Sequence, residues 1–287
     1  MGKVAIITDS NSGITQEMGA KLGVYVIPMP FYINGEEFFE DITLTKEEFY
    51  QRIGEEGVEI TTSMPSPGEV VALWEELLEQ YDEVVYIPMS SGLSSSCATA
   101  ISMAEEYDNR VQVVDNQRIS VILEQSVLDA INLRKEGKSA LEIREILEKE
   151  KLEASIYITV DTLKYLKKGG RVTAAGAAIG TVLNVKPVLT IQGDKLDSYA
   201  KVRGWKMAKR TMLEAMEKDI MERFAKYEGK MTMQIAYTCD EAEVKEWEQE
   251  VSSYFPQFDV LVRPLSLSIA CHIGPGAMAI ACAKRVD

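Results

Sequence analysis

The sequence predicts an α/β protein in two parts: an N-terminal domain with a parallel sheet covered by helices on both faces, and a smaller α+β domain after it. Three observations predict this. In the first half, short apolar runs alternate with helix-like segments, which is how a buried parallel sheet and its crossover helices read. Hydroxyl-rich turns recur where such a run gives way to a helix. After the charged segment 148–153 the pattern changes to longer helices and a hairpin, so the boundary is set between residues 152 and 153, giving domains 1–152 and 153–287. At 287 residues the chain has the length of about two ordinary domains.

Taken in order, Val4-Ala5-Ile6-Ile7 forms a first strand, Thr8 to Gly13 a turn, and Thr15 caps a short helix. Val24 to Ile27 is a second strand. Phe31-Tyr32-Ile33 leads into Asn34-Gly35, the pair favoured in a type I′ hairpin turn. Thr45 and Glu48 make a capping box for a helix through Arg52. In the loop 61–69, Ser66, Pro67 and Glu69 suit the N-cap, N1 and N3 positions of the next helix. Val84 to Ile87 is a buried strand, followed by the turn Ser90 to Ser96 and a helix through Ala104. Val111 to Asp115 is a strand. A helix covers Ser120 to Arg134, and another starts at the capping box Ser139 and Glu142.

In the second half Ser155 to Val160 is a strand, a helix begins at Asp161, and Gly169-Gly170 reads as its C-cap. Residues 174–180 form a small-residue helix. Pro187 to Ile191 enters a hairpin turning at Gly193-Asp194, and a long helix follows Arg203. Thr232 to Tyr237 and Val260 to Val262 are strands flanking a helix over Val244 to Val251. The segment from His272 through Gly274-Pro275-Gly276 is expected to open a terminal helix.

Composition excludes several classes of function. Acidic residues outnumber basic ones 45 to 31, a formal charge of -14, which argues against binding nucleic acid or an anionic membrane through charge. No apolar run approaches the ~18 residues of a membrane span, and no charged-then-apolar leader pattern opens the chain, so stable membrane insertion is not expected and the cytoplasm is the expected location. Four scattered cysteines and a single histidine, His272, predict neither a disulfide framework nor a metal site. The glycine fingerprints of nucleotide sites are missing, and no cofactor is expected.

The turn Ser90 to Ser96 is the focus of the functional reading. A strand-to-helix turn points free N–H groups and the positive end of a helix dipole at any guest, and an anionic head group suits it. The turns at 8–13 and 61–66 and the His272 segment, all read as preceding helices, can add donors around one carboxylate or phosphate. Ordinary capping explains any one of them alone. Gly92-Leu93-Ser94 also begins like the nucleophile elbow of an esterase or acyltransferase, with His272 as base, but the second glycine of that elbow is absent.

Seven motifs together resemble the DegV family of fatty-acid-binding proteins, which includes the lipid-carrying subunit of bacterial fatty acid kinase. They are Thr8-Asp9-Ser10, Thr62-Ser63 with Pro65-Ser66, Ser90-Ser91-Gly92-Leu93-Ser94, Leu166 to Arg171, Asn184-Val185-Lys186-Pro187, Arg203-Gly204 and His272 to Gly276. The resemblance implies a non-enzymatic carrier holding a long-chain fatty acid in a tunnel between the two domains. It further implies head-group contacts at Thr62, Ser94, Ser95, Arg171 and His272, and a contact through Arg203 with an ATP-dependent kinase subunit that phosphorylates the bound carboxylate. Met64, Ser95-Ser96-Cys97, Asn116 and Ala279 depart from the family's usual residues, which bears on the shape of the head-group pocket and the acyl preference.

Overall fold

The computed structural model describes residues 2–178, 185–193 and 195–286. Ile179, Gly180, Asn184 and Asp194, which figure in the expected helix, motif and turn, lie outside the described residues. In chain order the first half runs β1 (Val4–Asp9), α1 (Gln16–Leu22), β2 (Tyr25–Ile27), β3 (Phe31–Ile33), β4 (Glu36–Phe38), α2 (Lys46–Ile53), β5 (Ile60–Thr62), α3 (Pro67–Leu78), β6 (Glu83–Ile87), α4 (Ser96–Ala104), β7 (Val111–Val113), α5 (Val121–Lys135) and α6 (Ala140–Lys149). The second half runs β8 (Ala154–Thr159), α7 (Lys164–Gly169), α8 (Ala174–Ala177), β9 (Val185–Ile191), β10 (Asp197–Arg203), α9 (Gly204–Glu222), β11 (Met231–Tyr237), α10 (Glu241–Tyr254), β12 (Val260–Pro264), α11 (Leu267–Ile273) and β13 (Met278–Lys284).

The first sheet, in the order β2-β1-β6-β7, is parallel throughout. Strand alternation divides its side chains between two cores. Val4, Ile6, Val85 and Ile87 pack toward α5 and α6, while Ala5, Ile7, Val84 and Tyr86 pack toward α3 and α4. Helices therefore cover both faces, as the near-continuous apolar strands predict. The second sheet, β10-β9-β8-β13-β11-β12, is antiparallel except where β12 lies parallel to β11.

Helix α5 joins the two sheets. Its residues Val121, Leu123, Val127 and Ile131 share one core with Ile156, Ile158, Ala279 and Ala281 of the second sheet, so it is buried nearly all round. Its buried Glu124 is held by Arg263 of β12 in a forked ion pair, with the closest N–O distance 2.9 Å. A carboxylate there needs such a partner, because burial without one costs several kcal/mol, on the order of the penalty for a desolvated ion.

A third sheet, β4-β3-β5, is a side excursion from the first half. Asn34 and Gly35 both take positive φ, at 52° and 83°, and so form the expected hairpin turn. Phe31, Ile33, Phe38 and Phe49 of this excursion pack on Leu267, Ala270 and Cys271 of α11. Both capping boxes are present, at Thr45 with Glu48 and at Ser139 with Glu142. Ser66 occupies its N-cap position, but its hydroxyl makes no capping bond. Helix α7 begins at Lys164 and not at Asp161.

The expected terminal helix is not there. Residues 278–284 form β13, a central strand between β8 and β11, and His272 lies in the last turn of α11, so its segment precedes a strand. Composition misleads here because Met278-Ala279-Ile280-Ala281-Cys282-Ala283 is rich in helix formers. Both faces of β13 are buried, and the alternation is between small and large: Ala279, Ala281 and Ala283 face one core, Met278, Ile280 and Cys282 the other. Tertiary context overrides propensity. Among the described residues no helix is long and apolar enough to cross a membrane, and no cluster of three metal-ligating side chains occurs.

Candidate functional site

The C-terminal ends of the neighbouring parallel strands β1 and β6 release two turns side by side. Asp9, fully buried, accepts the backbone N–H groups of Asn11 (2.9 Å) and Met89 (2.8 Å) and so ties the turns together. Burial pushes its carboxyl up to about 6, with the two N–H bonds opposing. After β6 the chain turns on Ser90, whose hydroxyl donates to the Gly193 carbonyl and accepts from Gly92 N–H. Ser94 Oγ accepts from Ser96 N–H at 3.2 Å, which leaves its own proton available to a guest.

A cavity of about 300 Å³ opens at these turns. All five residues expected at a head group, Thr62, Ser94, Ser95, Arg171 and His272, line it. They come from four places: the end of β5, the turn before α4 for the two serines, the segment after α7, and the last turn of α11. Arg203 is exposed at the end of β10 and is not among the lining residues.

The centre of the site is a hydrogen bond between Thr62 Oγ1 and His272 Nε2, 2.8 Å long. Burial, with the Arg171 charge assisting, pushes the imidazole down to about 4, so the ring is neutral at physiological pH. Its Nδ1 is buried without a hydrogen-bond partner among the described residues. A Cβ built on Gly169 would lie 2.1 Å from that nitrogen, so the ring edge rests against the glycine backbone. A lone pair on Nδ1 tolerates a neighbouring C–H, whereas an N–H aimed there would be both crowded and unpaired. Crowding at Nδ1 thus favours the tautomer with the proton on Nε2, donating to Thr62, in which the Thr62 hydroxyl keeps its own proton for a ligand.

The two glycines after α7 have separate jobs. Gly170, at φ 68°, is the expected C-cap, while Gly169 gives His272 its space. Gly274, at φ 79°, is pressed against the Tyr165 ring, 2.3 Å from where a Cβ would sit, which fixes the backbone just beyond the histidine. Arg171 donates to the carbonyls of Leu93 and Gly169, so it connects the Ser94 turn to the α7 terminus.

The sequence did not single out Asn11. Almost fully buried, it lines the cavity and its Oδ1 accepts the hydroxyls of Ser266 and Ser268, fastening the start of α11 to the β1 turn. Its place in a hydroxyl-rich turn was the available signal, but a partner 255 residues away has no local signature.

Beyond Leu93 and Ile119 the cavity adjoins a smaller chamber of about 60 Å³ with a hydrocarbon wall. Ile156 and Ile158 of β8, Ala279 and Ala281 of β13, and Ile269 and Ile273 of α11 line it. The alanines of β13 and Ala236 of β11 leave the room. The small residues at 174–178 do not line this chamber, and Gly176 is needed for packing, since a Cβ there would meet Val172 at 2.5 Å.

His272 is the only histidine, so its imidazole resonances are unambiguous in an NMR titration. In ligand-free protein the midpoint is expected near 4, and an anionic head group bound beside the ring should raise it. Because the folded value lies below the unfolded one, the unfolded chain binds the extra proton between about pH 6.5 and 4; the stability linked to this ring is whole above that window and lost as pH falls through it. A titration midpoint near 6.5 in the folded, ligand-free protein would contradict the buried, neutral ring.

Comparison with known proteins agrees with this architecture over its whole length. The family model described as "Uncharacterised protein, DegV family" matches residues 3–285. Among solved structures, a fatty-acid-binding DegV family protein from Thermus thermophilus is 32% identical with a TM-score of 0.87, covering 98% of this chain and 99% of that one. DegV from Bacillus subtilis, described as a fatty acid binding protein, is 30% identical with a TM-score of 0.86, covering 99% and 100%. A DegV domain-containing protein from Deinococcus radiodurans is 30% identical over 97% of both chains. With its sheets, turns and sequence all matching over that span, the chain belongs to the DegV family.

Proposed function

We propose that this protein binds a long-chain fatty acid in a tunnel between units 1–152 and 153–287, and presents its carboxylate to an ATP-dependent kinase partner. One observation carries the reading: five head-group candidates from separate parts of the chain line a single cavity, and that cavity adjoins a chamber walled by isoleucine and alanine. The fatty-acid binding named for the relatives from Thermus thermophilus and Bacillus subtilis supports it.

In this reading Thr62, Ser94, the backbone at Ser95 and Arg171 meet the carboxylate, His272 contributes by orienting the Thr62 hydroxyl toward it, and the tail runs toward Ile156 and Ala281. About sixteen methylenes at roughly 0.8 kcal/mol each bound the tail's contribution near 13 kcal/mol before association costs. The head-group donors offset the several kcal/mol, on the order of a buried charge's cost, that an unpaired carboxylate would lose. They also fix which end lies where. Arg203, exposed and outside the cavity, is assigned to the partner. The protein supplies the bound substrate, works in the cytoplasm, and leaves catalysis to the kinase.

The esterase reading has weaker support. His272 Nε2 is engaged by Thr62 and not by Ser94, and Nδ1 has no carboxylate to orient the ring as a base.

Protein purified without added lipid, then denatured and extracted, is expected to yield close to one fatty acid per chain by mass spectrometry. A lipid-free extract, from protein that also fails to take up added fatty acid, would overturn the proposal.

A further inference from the structure

A second cavity, about 240 Å³, lies on the other side of the Thr62–His272 pair. Thr62, Arg171 and His272 line both cavities and so form the partition between them. The far side of the second cavity is apolar, with Ile53, Val58 and Ile60 contributed by the side excursion. Its remaining feature is charge: Lys164 and Lys168, one helical turn apart on α7, join Arg171 at its edge.

This concentration of positive charge stands out in a chain whose acids outnumber its bases 45 to 31. Basic residues elsewhere are commonly paired, as Lys186 is with Asp161, Lys209 with Glu250 and Lys284 with Glu150. Among the described residues no carboxylate pairs with Lys164, Lys168 or Arg171. Lys164 lies over the Tyr165 ring, and the bonds of Arg171 go only to carbonyls. Like charges are thus gathered beside an apolar wall, with Lys164 and Lys168 exposed at the mouth of the cavity. A carboxylate held by the Thr62 and Ser94 hydroxyls stays in the first cavity, which leaves the second free for an additional anionic group attached to it.

We propose that the cavity edged by Lys164, Lys168 and Arg171 is a phosphoryl-binding subsite, which receives the phosphate of an acyl phosphate while its acyl chain stays in the first cavity. The inference rests on the kinase reading above. In that step a carboxylate oxygen attacks the γ-phosphorus of ATP, the bond from that phosphorus to the β–γ bridging oxygen breaks, and ADP leaves with the electron pair. The product carries more negative charge than the carboxylate it replaces: a phosphate monoester carries about -1.5 to -2 at neutral pH, against -1 for a carboxylate. Three unpaired cations beside the partition favour the phosphorylated product over the free acid.

The test compares palmitate with hexadecyl phosphate, a non-hydrolysing stand-in, on wild type and on the Lys164→Gln/Lys168→Gln double variant. The variant is expected to lose about tenfold or more in affinity for hexadecyl phosphate and less than about threefold for palmitate, the scale of two charge-assisted contacts. Equal losses for both ligands, or none, would overturn the subsite while leaving the fatty-acid carrier standing. Wild type that binds neither ligand would overturn both. Inorganic phosphate that protects wild type against heat as well as hexadecyl phosphate does would assign the cavity to free phosphate and remove the acyl-linked role.

Discussion

Replacing Gly169 with alanine is expected to weaken fatty acid binding by about tenfold or more, a loss of roughly 1.4 kcal/mol at the least, and to lower stability more modestly, by about 1–2 kcal/mol. The added Cβ would sit 2.1 Å from His272 Nδ1 and close to 3 Å from two ring carbons, so the ring must move. The rigid imidazole has little freedom to yield, because Thr62 holds its other edge. Gly169 is the last residue of α7 and lacks a positive φ, so alanine suits the helix there and gains up to about 1 kcal/mol of propensity. That gain offsets only part of the ~1–3 kcal/mol that overpacking a buried ring costs, so stability should fall by less than the clash alone would give. Titration with a fluorescent fatty acid and a denaturant melt measure binding and stability. A His272→Ala/Gly169→Ala double variant should bind no worse than His272→Ala alone, since the clash needs both partners. Unchanged binding in Gly169→Ala would show that the ring position is unimportant to the ligand.

Arg263→Ala is expected to be among the most destabilising single changes, by about 3–5 kcal/mol, because it leaves Glu124 charged and unpaired. The Glu124 side chain is only 3% exposed, on a helix packed between two sheets. For a chain of this size that loss corresponds to a fall in melting temperature of roughly 6–15 °C. Adding Glu124→Gln should recover part of it, since a neutral amide costs less to bury than a lone carboxylate. A melting temperature within about 2 °C of wild type would show that water reaches Glu124 when the arginine is gone.

Much of the first half was legible because its signals are local. Alternating strands and helices, the Asn34-Gly35 turn and the two capping boxes each act within a few residues, and each appears where the spacing predicts. The five head-group candidates also meet at one cavity, though their positions came from a family resemblance and not from periodicity. What stayed hidden depends on contacts far apart in sequence. Helix α11 has seven residues, too few for a clear period, and is apolar on two faces. Leu267 and Cys271 face the side excursion, while Ile269 and Ile273 face the chamber. Strand β13 looked helical because its alanines were counted as helix formers, whereas their role is to leave space on a buried sheet. The need for Gly169 likewise appears only when His272 is set against it.

The side excursion and α11 share a core, and this has a consequence for the Thr62–His272 pair. Thr62 and His272 are 210 residues apart, yet each is carried by an element of that one small body. Its attachment to the parallel sheet includes a polar seam, in which Asn11 receives Ser266 and Ser268. The same body also joins the first core through Ile269 and Ile273, so any displacement of it would carry the Thr62–His272 pair as a unit.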